Sequence, residues 1–305
     1  MKVAIIDCGT NTFNLLIAEN QDNQWKHLYR AKRVVKLGSG GIIGRVIAED
    51  PFNKAVEALK SYKKIIKKYK VIKTIVVGTA AIRDAKNKSA LLEKVKKETG
   101  FSIQLISGST EAKLIYNGVS KAIILGEETS LILDIGGGSV ELIICNDKKI
   151  FWKKSFRLGA ARLKEQIQPS DPILHSEIKK FNNFLAENLI SFIEAVAKFK
   201  PKKLVGSSGS FDTFASLILN KTDDLNLIRR KTEYQFNLKK YKTLHKELVK
   251  STYKERLRMK GMLRMRADMI VVASLFLTFV LSKTGIRKLH LSTYSLKEGL
   301  LMSIQ

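Results

Sequence analysis

The chain has 305 residues, 45% of them hydrophobic, which is enough for about two domains with buried cores. Its 55 Lys and Arg against 28 Asp and Glu give a net charge of +27, so anionic partners are expected: a phosphate polymer, nucleic acid or an anionic surface. Two cysteines and four histidines without close spacing exclude a disulfide framework and a structural zinc site.

The amino-terminal "AIIDCGTNTFNLLIAE" (residues 4–19) reads as two apolar strands around a turn that carries Asp7, Gly9, Thr10, Asn11 and Thr12. The opening residues turn polar too early for a signal peptide, and Cys8 and Cys145 lie in apolar strand runs, so a reducing, cytoplasmic setting is expected. "HLYRAKRVVKL" extends the sheet, and "LGSGGIIG" is a glycine-rich loop. "FNKAVEALKSYKKIIKKYK" is an amphipathic helix, with Val56, Leu59, Tyr62, Ile66 and Tyr69 on one face and lysines opposite. "TIVVGTAAIRDAKN" runs from a strand into a helix start, "LLEKVKKETG" is a helix closed by Gly100, and "FSIQLIS" is a strand. "STEAKLIYNGVSKAI" opens the next helix, with Ser109 or Thr110 as its cap.

"LILDIGGGSVELIIC" (residues 131–145) is a second strand–turn–strand unit. Gly136, Gly137 and Gly138 permit positive φ and leave amides bare, and successive bare amides form a concave anion site to which Ser139 adds a hydroxyl. A carboxylate does not itself bind phosphate, so Asp134 and Glu141 beside such a cradle point to a divalent cation, Mg²⁺ before Mn²⁺. The same pattern also suits a hairpin that only turns the chain. The two stretches align without a gap: Asp7 falls on Asp134, Gly9 on Gly136 and Thr12 on Ser139, 127 residues apart. A period of that length is one domain-sized unit used twice, not a solenoid repeat.

Beyond it, Pro169, Asp171 and Pro172 mark a loop, and helices run on through Ala197. "PKKLVGSSGSFDTFASLIL" is a strand, a Gly/Ser turn and a helix capped by Ser210 or a neighbour, an arrangement that suits an anion. A basic helical stretch is expected over about 225–266; Lys221 to Arg266 hold 15 Lys or Arg against 5 acids. Met269 to Ser282 is an apolar run of 14 residues, short of the roughly 18 that a membrane span needs, and reads as a buried helix. "KLHLSTYSLKEGLLMSI" closes the chain as strand, turn and helix. Alternation of strands and helices favours α/β architecture.

In their order and combination, "AIIDCGTNTFNLLIA", "VGTAAIRDAKN", "SGSTEAKLIYNGV", "LDIGGGSVEL", "RLGAARL", "GSSGSF" and "RADMIVVA" resemble the exopolyphosphatase/guanosine pentaphosphate phosphohydrolase family, over essentially the whole chain. The resemblance implies two actin-like, ribonuclease H-like domains with mixed sheets flanked by helices, over 1–120 and 121–295, with the final helix of about 296–305 packing back on the first and an active-site cleft between them. It implies that Glu111 is the base that orients or deprotonates the attacking water, and that Arg83 contacts phosphate. Asp134 and Glu141 match acidic catalytic positions, and with Asp7 they match those around the metal. Thr10, Asn11, Thr12, Gly136, Gly137, Gly138 and Ser139 match phosphate-gripping loops, and Gly206, Ser207, Ser208 and Gly209 a further one. A homodimer is also implied.

Each of these residues has a plainer role open to it. Arg83 suits a surface ion pair, Glu111 a helix dipole, Asp7 its own turn, and Ser207 and Ser208 a helix cap. Two departures stand out: Thr110 replaces the first of two adjacent glutamates usual in the family, and Lys297 an arginine. The chain also stops short of the helical domains of longer members. The leading expectation is metal-dependent release of terminal phosphate from inorganic polyphosphate, with guanosine pentaphosphate as the alternative substrate. Behind these stand an ATP-dependent kinase or ATPase, for which no adenosine pocket is identified, and a non-catalytic protein that binds polyphosphate or, as a lesser alternative, nucleic acid.

Overall fold

The structure is a computed structural model and describes residues 1–22, 24–219 and 231–304. It divides into two compact units, Met1–Glu111 with Leu300–Gln305, and Ala112–Gly299.

In the first unit, β1 (Lys2–Cys8), β2 (Thr12–Gln21) and β3 (Gln24–Val34) form an antiparallel meander. β4 (Lys73–Gly78) and β5 (Ile103–Leu105) join it in parallel, giving the order β3-β2-β1-β4-β5. The crossover helix α1 (Glu49–Lys68) buries Val56, Leu59, Tyr62 and Ile66, as their spacing dictates, and Tyr62 donates its hydroxyl hydrogen to the Phe13 carbonyl at 2.7 Å. β4 leads into the short α2 (Ala80–Arg83), then α3 (Lys88–Thr99), which ends at Gly100 with φ +76°, a left-handed C-cap. Helix α4 (Gly108–Ala122) follows β5. Its cap is Ser107, not Ser109 or Thr110: the Ser107 hydroxyl oxygen accepts the Thr110 amide at 3.1 Å.

The second unit repeats this plan. β6 (Ser130–Ile135), β7 (Val140–Cys145) and β8 (Ile150–Phe156) form the meander, β9 (Lys203–Ser207) and β11 (Lys288–Ser292) add in parallel, and β10 (Glu233–Phe236) closes the edge antiparallel. The order β10-β11-β9-β6-β7-β8, taken from the β8 edge, matches the first sheet strand for strand, with β10 added. The register repeats too. Asp7 lies opposite Asn14 and Cys8 opposite Phe13; 127 residues on, Asp134 lies opposite Glu141 and Ile135 opposite Val140. Both sheets are mixed and flanked by helices, as the resemblance implies.

The helices of this unit are α5 (Ala160–Ile167), α6 (His175–Asn188), α7 (Ile190–Phe199), α8 (Ser208–Leu219), α9 (Leu238–Lys250), α10 (Tyr253–Arg258) and α11 (Ile270–Thr284), together with the start of α12 (Leu296–Met302), whose last residues belong to the first unit. α11 is buried nearly all round, which accounts for its apolar sequence; no helix among the described residues is long and apolar enough to cross a membrane. Cys8 and Cys145 are buried free thiols, and burial pushes Cys145 up to about 12.

The basic stretch is not one helical run. Residues 225–230 lie outside the described residues, and 233–236 form β10 because its backbone pairs with β11 (Tyr234 opposite Leu291), so edge pairing overrides local propensity.

Two glycine contacts fix how α4 and α12 meet within this unit. A Cβ on Gly299 would lie 1.8 Å from the Leu114 carbonyl oxygen, and one on Gly118 would lie 2.1 Å from that of Ser295. The backbones touch, so neither position accepts a side chain.

Candidate active site

In the first unit the carboxyl ends of β1, β4 and β5 gather the expected groups, the end of a parallel array where ligands bind in open α/β sheets. The β1–β2 turn is tight: the Gly9 amide donates to the Thr12 carbonyl at 3.1 Å, and a Cβ on Gly9 would meet that oxygen at 3.0 Å. The Asn11 carbonyl accepts from the Val35 and Lys36 amides at 3.0 Å each, and that of Thr10 from Gly38 at 3.4 Å. Thr10, Asn11 and Thr12 are buried, and Asp7 Oδ2 accepts from Asn14 Nδ2 at 3.1 Å.

Arg83 ends α2, directly after β4, and Glu111 lies in the first turn of α4, directly after β5. Arg83 Nη1 donates to Glu111 Oε2 and to the Ile106 carbonyl, both at 3.0 Å, and its Nε lies 3.6 Å from Asp84 Oδ1. The Glu111 side chain is 9% exposed and that of Arg83 20%, so this is no solvated surface pair. Thr110, next to Glu111, pairs its hydroxyl with Ser107 at 2.9 Å and adds no charge.

In the second unit the β6–β7 turn repeats the first in a different setting. A Cβ on Gly136 would lie 2.9 Å from the Ser139 carbonyl, as Gly9 does to Thr12. None of Gly136, Gly137 or Gly138 takes a positive φ, so glycine is needed here for close approach and not for handedness. The start of α5 docks on the turn's carbonyls: Ala160 donates to Gly136 at 2.9 Å, Ala161 to Gly137 at 2.9 Å, and Arg162 Nε to Gly138 at 3.1 Å. That approach needs Gly159, whose Cβ would lie 2.4 Å from Gly137. With the carbonyls engaged, the amides of Gly137, Gly138 and Ser139 have no hydrogen-bond partner among the described residues. Such amides form an anion-binding concavity.

Asp134 Oδ2 accepts from Ser207 Oγ at 2.6 Å and from Ser295 Oγ at 2.8 Å, while Oδ1 has no hydrogen-bond partner among the described residues. Glu141, directly across the ladder, accepts from Ser155 Oγ at 2.6 Å. Ser207 caps nothing; it is fully buried and holds Asp134. Ser208 takes φ +72°, a conformation that costs a non-glycine residue about 1–3 kcal/mol, and its hydroxyl and that of Ser210 both donate to the Ile135 carbonyl, at 3.1 and 3.2 Å. Neither caps α8. Gly206 and Gly209 are packing positions, closed by the Phe211 ring and by Arg266 Nη2. Arg266 is buried among Asp212, Asp134 and Asp268; burial lowers its pKa and the three carboxylates oppose that.

Among the described residues no three His, Cys, Asp or Glu side chains converge as a metal-binding set. Mg²⁺ needs none, since it is commonly held by one or two carboxylates, waters and substrate phosphates. Asp134, with a free oxygen, and Glu141 opposite it fit that pattern.

Sequence reasoning missed Ser295 and Arg266 as site residues. Ser295-x-x-Glu298 carries a helix-start signature, and Glu298 does accept the Ser295 amide at 3.0 Å. The Ser295 hydroxyl, however, goes to Asp134, which no local pattern foretells.

The Ppx/GppA phosphatase family matches residues 16–305. An exopolyphosphatase structure from Cytophaga hutchinsonii superposes with a TM-score of 0.97 at 37% identity, over 99% of this chain and 97% of that one. An Aquifex aeolicus family member gives 0.80 at 26% identity, over 99% and 97%. The guanosine-5'-triphosphate,3'-diphosphate pyrophosphatase of Aliivibrio fischeri is 26% identical over 300 residues, which are 97% of this chain and 58% of that protein.

Proposed function

Since the chain belongs to the Ppx/GppA phosphatase family and is a hydrolase of phosphoanhydride bonds, we propose that it releases the terminal phosphate of inorganic polyphosphate by in-line attack of water. One observation carries the reading: Glu111 and Arg83, held together at 3.0 Å, lie at the same end of the sheet as the Thr10–Thr12 turn. Phosphoryl transfer demands positioning and charge neutralisation more than covalent catalysis. Glu111 takes the proton of the attacking water, a contribution worth about a hundred- to ten-thousandfold. Arg83 orients that carboxylate and places positive charge at the terminal phosphate. The amides of Gly137, Gly138 and Ser139 hold phosphate oxygens. A divalent ion held by Asp134 and Glu141, when bound, supplies further neutralisation of the leaving oxygen.

The net charge of +27 favours the polymer over guanosine pentaphosphate, for which a local basic site suffices. The test is phosphate release from long polyphosphate, tripolyphosphate and guanosine pentaphosphate, with and without Mg²⁺, by the wild type and Glu111→Gln. Release from polyphosphate that requires Mg²⁺ and falls at least a hundredfold in the folded variant is expected. Undiminished release by the variant rejects Glu111 as the base, and preference for guanosine pentaphosphate selects that substrate instead.

A further inference from the structure

A cavity of about 720 Å³ opens in the second unit where β9 and β11 begin and α7 and α11 end. Lys200, Lys202, Arg287 and Lys288 line it, with Glu128 as the one acid and Val196 and Ile286 in its apolar part. None of the four cations has an ion-pair partner among the described residues. Lys288 also stands opposite Lys203 in the β11–β9 ladder, a like-charge pairing that costs stability. Lys203 turns its ammonium to the Ile124 carbonyl at 2.7 Å; burial lowers its pKa, Asp147 and Glu233 oppose that, and Lys288 adds to the lowering.

Two helix carboxyl ends account for only part of this cluster. Each contributes roughly half a negative charge, so α7 and α11 together supply about one, and Glu128 one more. Four cations remain in excess by about two charges. The cavity is separate from the Asp134 site. Ser207, which holds Asp134, ends β9, four residues from Lys203 and so about 13 Å along the strand. No aromatic side chain lines the cavity among the described residues, so a nucleic acid finds no stacking surface there.

We propose that this cavity is an anion exosite that holds a stretch of condensed phosphate apart from the site of cleavage. Condensed phosphate as the occupant rests on the proposed function; the uncompensated charge of the cavity does not. An occupant there would offset the Lys203–Lys288 repulsion and retain a long substrate between turnovers.

The test is calorimetric titration of the full chain with tripolyphosphate in excess chelator, so that metal-dependent turnover is off. Two binding events are expected for the wild type. Arg287→Glu/Lys288→Glu should lose one of them, weakening it at least tenfold, while turnover of tripolyphosphate stays within about twofold and KM for long polyphosphate rises severalfold. If the double variant is unfolded by circular dichroism, Lys200→Gln/Lys202→Gln serves in its place with the same expectation. Retention of every binding event by the folded variant overturns the exosite. Equally tight binding of oligothymidylate, lost in the same variant, overturns condensed phosphate as its occupant. A wild type that binds at the cavity but hydrolyses none of the three substrates refutes the proposed function and leaves the exosite standing.

Discussion

Ser295 donates its hydroxyl hydrogen to Asp134 Oδ2 at 2.8 Å across 161 residues of chain, and Ser207 donates to the same oxygen at 2.6 Å. Two donors on one oxygen fix the carboxylate plane and leave Oδ1 without a hydrogen-bond partner among the described residues. Hydrogen bonds to a charged group are worth about 1.5–3 kcal/mol each.

Ser295→Ala and Ser207→Ala should each raise the Mg²⁺ concentration for half-maximal phosphate release by several-fold, with a smaller change in the maximal rate. Magnesium titrations of the two variants check this. An unchanged midpoint in both would mean that Asp134 needs no orientation, or holds no metal.

Arg83 and Glu111 should behave as one unit. Arg83→Ala is expected to lower kcat about a hundredfold or more, and the double variant with Glu111→Gln to be little worse than the poorer single one. Arg83→Lys keeps the charge but loses the rigid planar guanidinium, whose Nη1 serves both Glu111 and the Ile106 carbonyl while Nε lies beside Asp84, so its kcat should stay well below wild type. Additive losses in the double variant would show that the two act independently.

Gly299→Ala should destabilise the fold by about 1–3 kcal/mol, because its Cβ must displace the Leu114 backbone. Gly44→Ala, whose Cβ would meet nothing closer than 3.9 Å, is the control and should move the urea midpoint little. Equal midpoints for the two variants would contradict the helix contact.

Burial holds His245 below the ordinary histidine range; its Nδ1 lies 3.2 Å from Ser274 Oγ and its ring stacks on Tyr241. The unfolded chain therefore binds a proton near pH 6.5 that the folded chain takes up only at lower pH. Stability is full above about pH 6.5 and declines as pH falls through the window beneath it. Urea midpoints at pH 7.5 and 5.5 should converge in His245→Gln relative to wild type. An identical acid loss in the variant would place the titration elsewhere.

The duplicated hairpin was legible because it is local. Strand alternation, an Asp before the turn and a Gly within it recur at fixed spacing, and the ladders Asp7–Asn14 and Asp134–Glu141 follow from that spacing alone. The faces of α1, the Gly100 cap and the buried α11 were legible for the same reason. The α4 cap was misplaced because Ser107, Ser109 and Thr110 all qualify by type, and only the hydrogen bond picks Ser107. Of the two roles open to the glycines at 136–138, positive φ is not used, while their bare amides accompany the docking of α5 on the turn's carbonyls.

Residue type and spacing thus determined the two-unit α/β plan, its repeat, and Asp134 and the glycine turn as candidates, whereas Arg83 and Glu111 stood out only through the resemblance to a known family. Tertiary structure alone decided which hydroxyl holds Asp134, which face of the turn is left with bare amides, and which lysines and arginine crowd one cavity in excess of its counter-charges. Periodicity encodes what neighbours within a strand or helix do; contacts across more than a hundred residues depend on how packed elements bring distant backbones together.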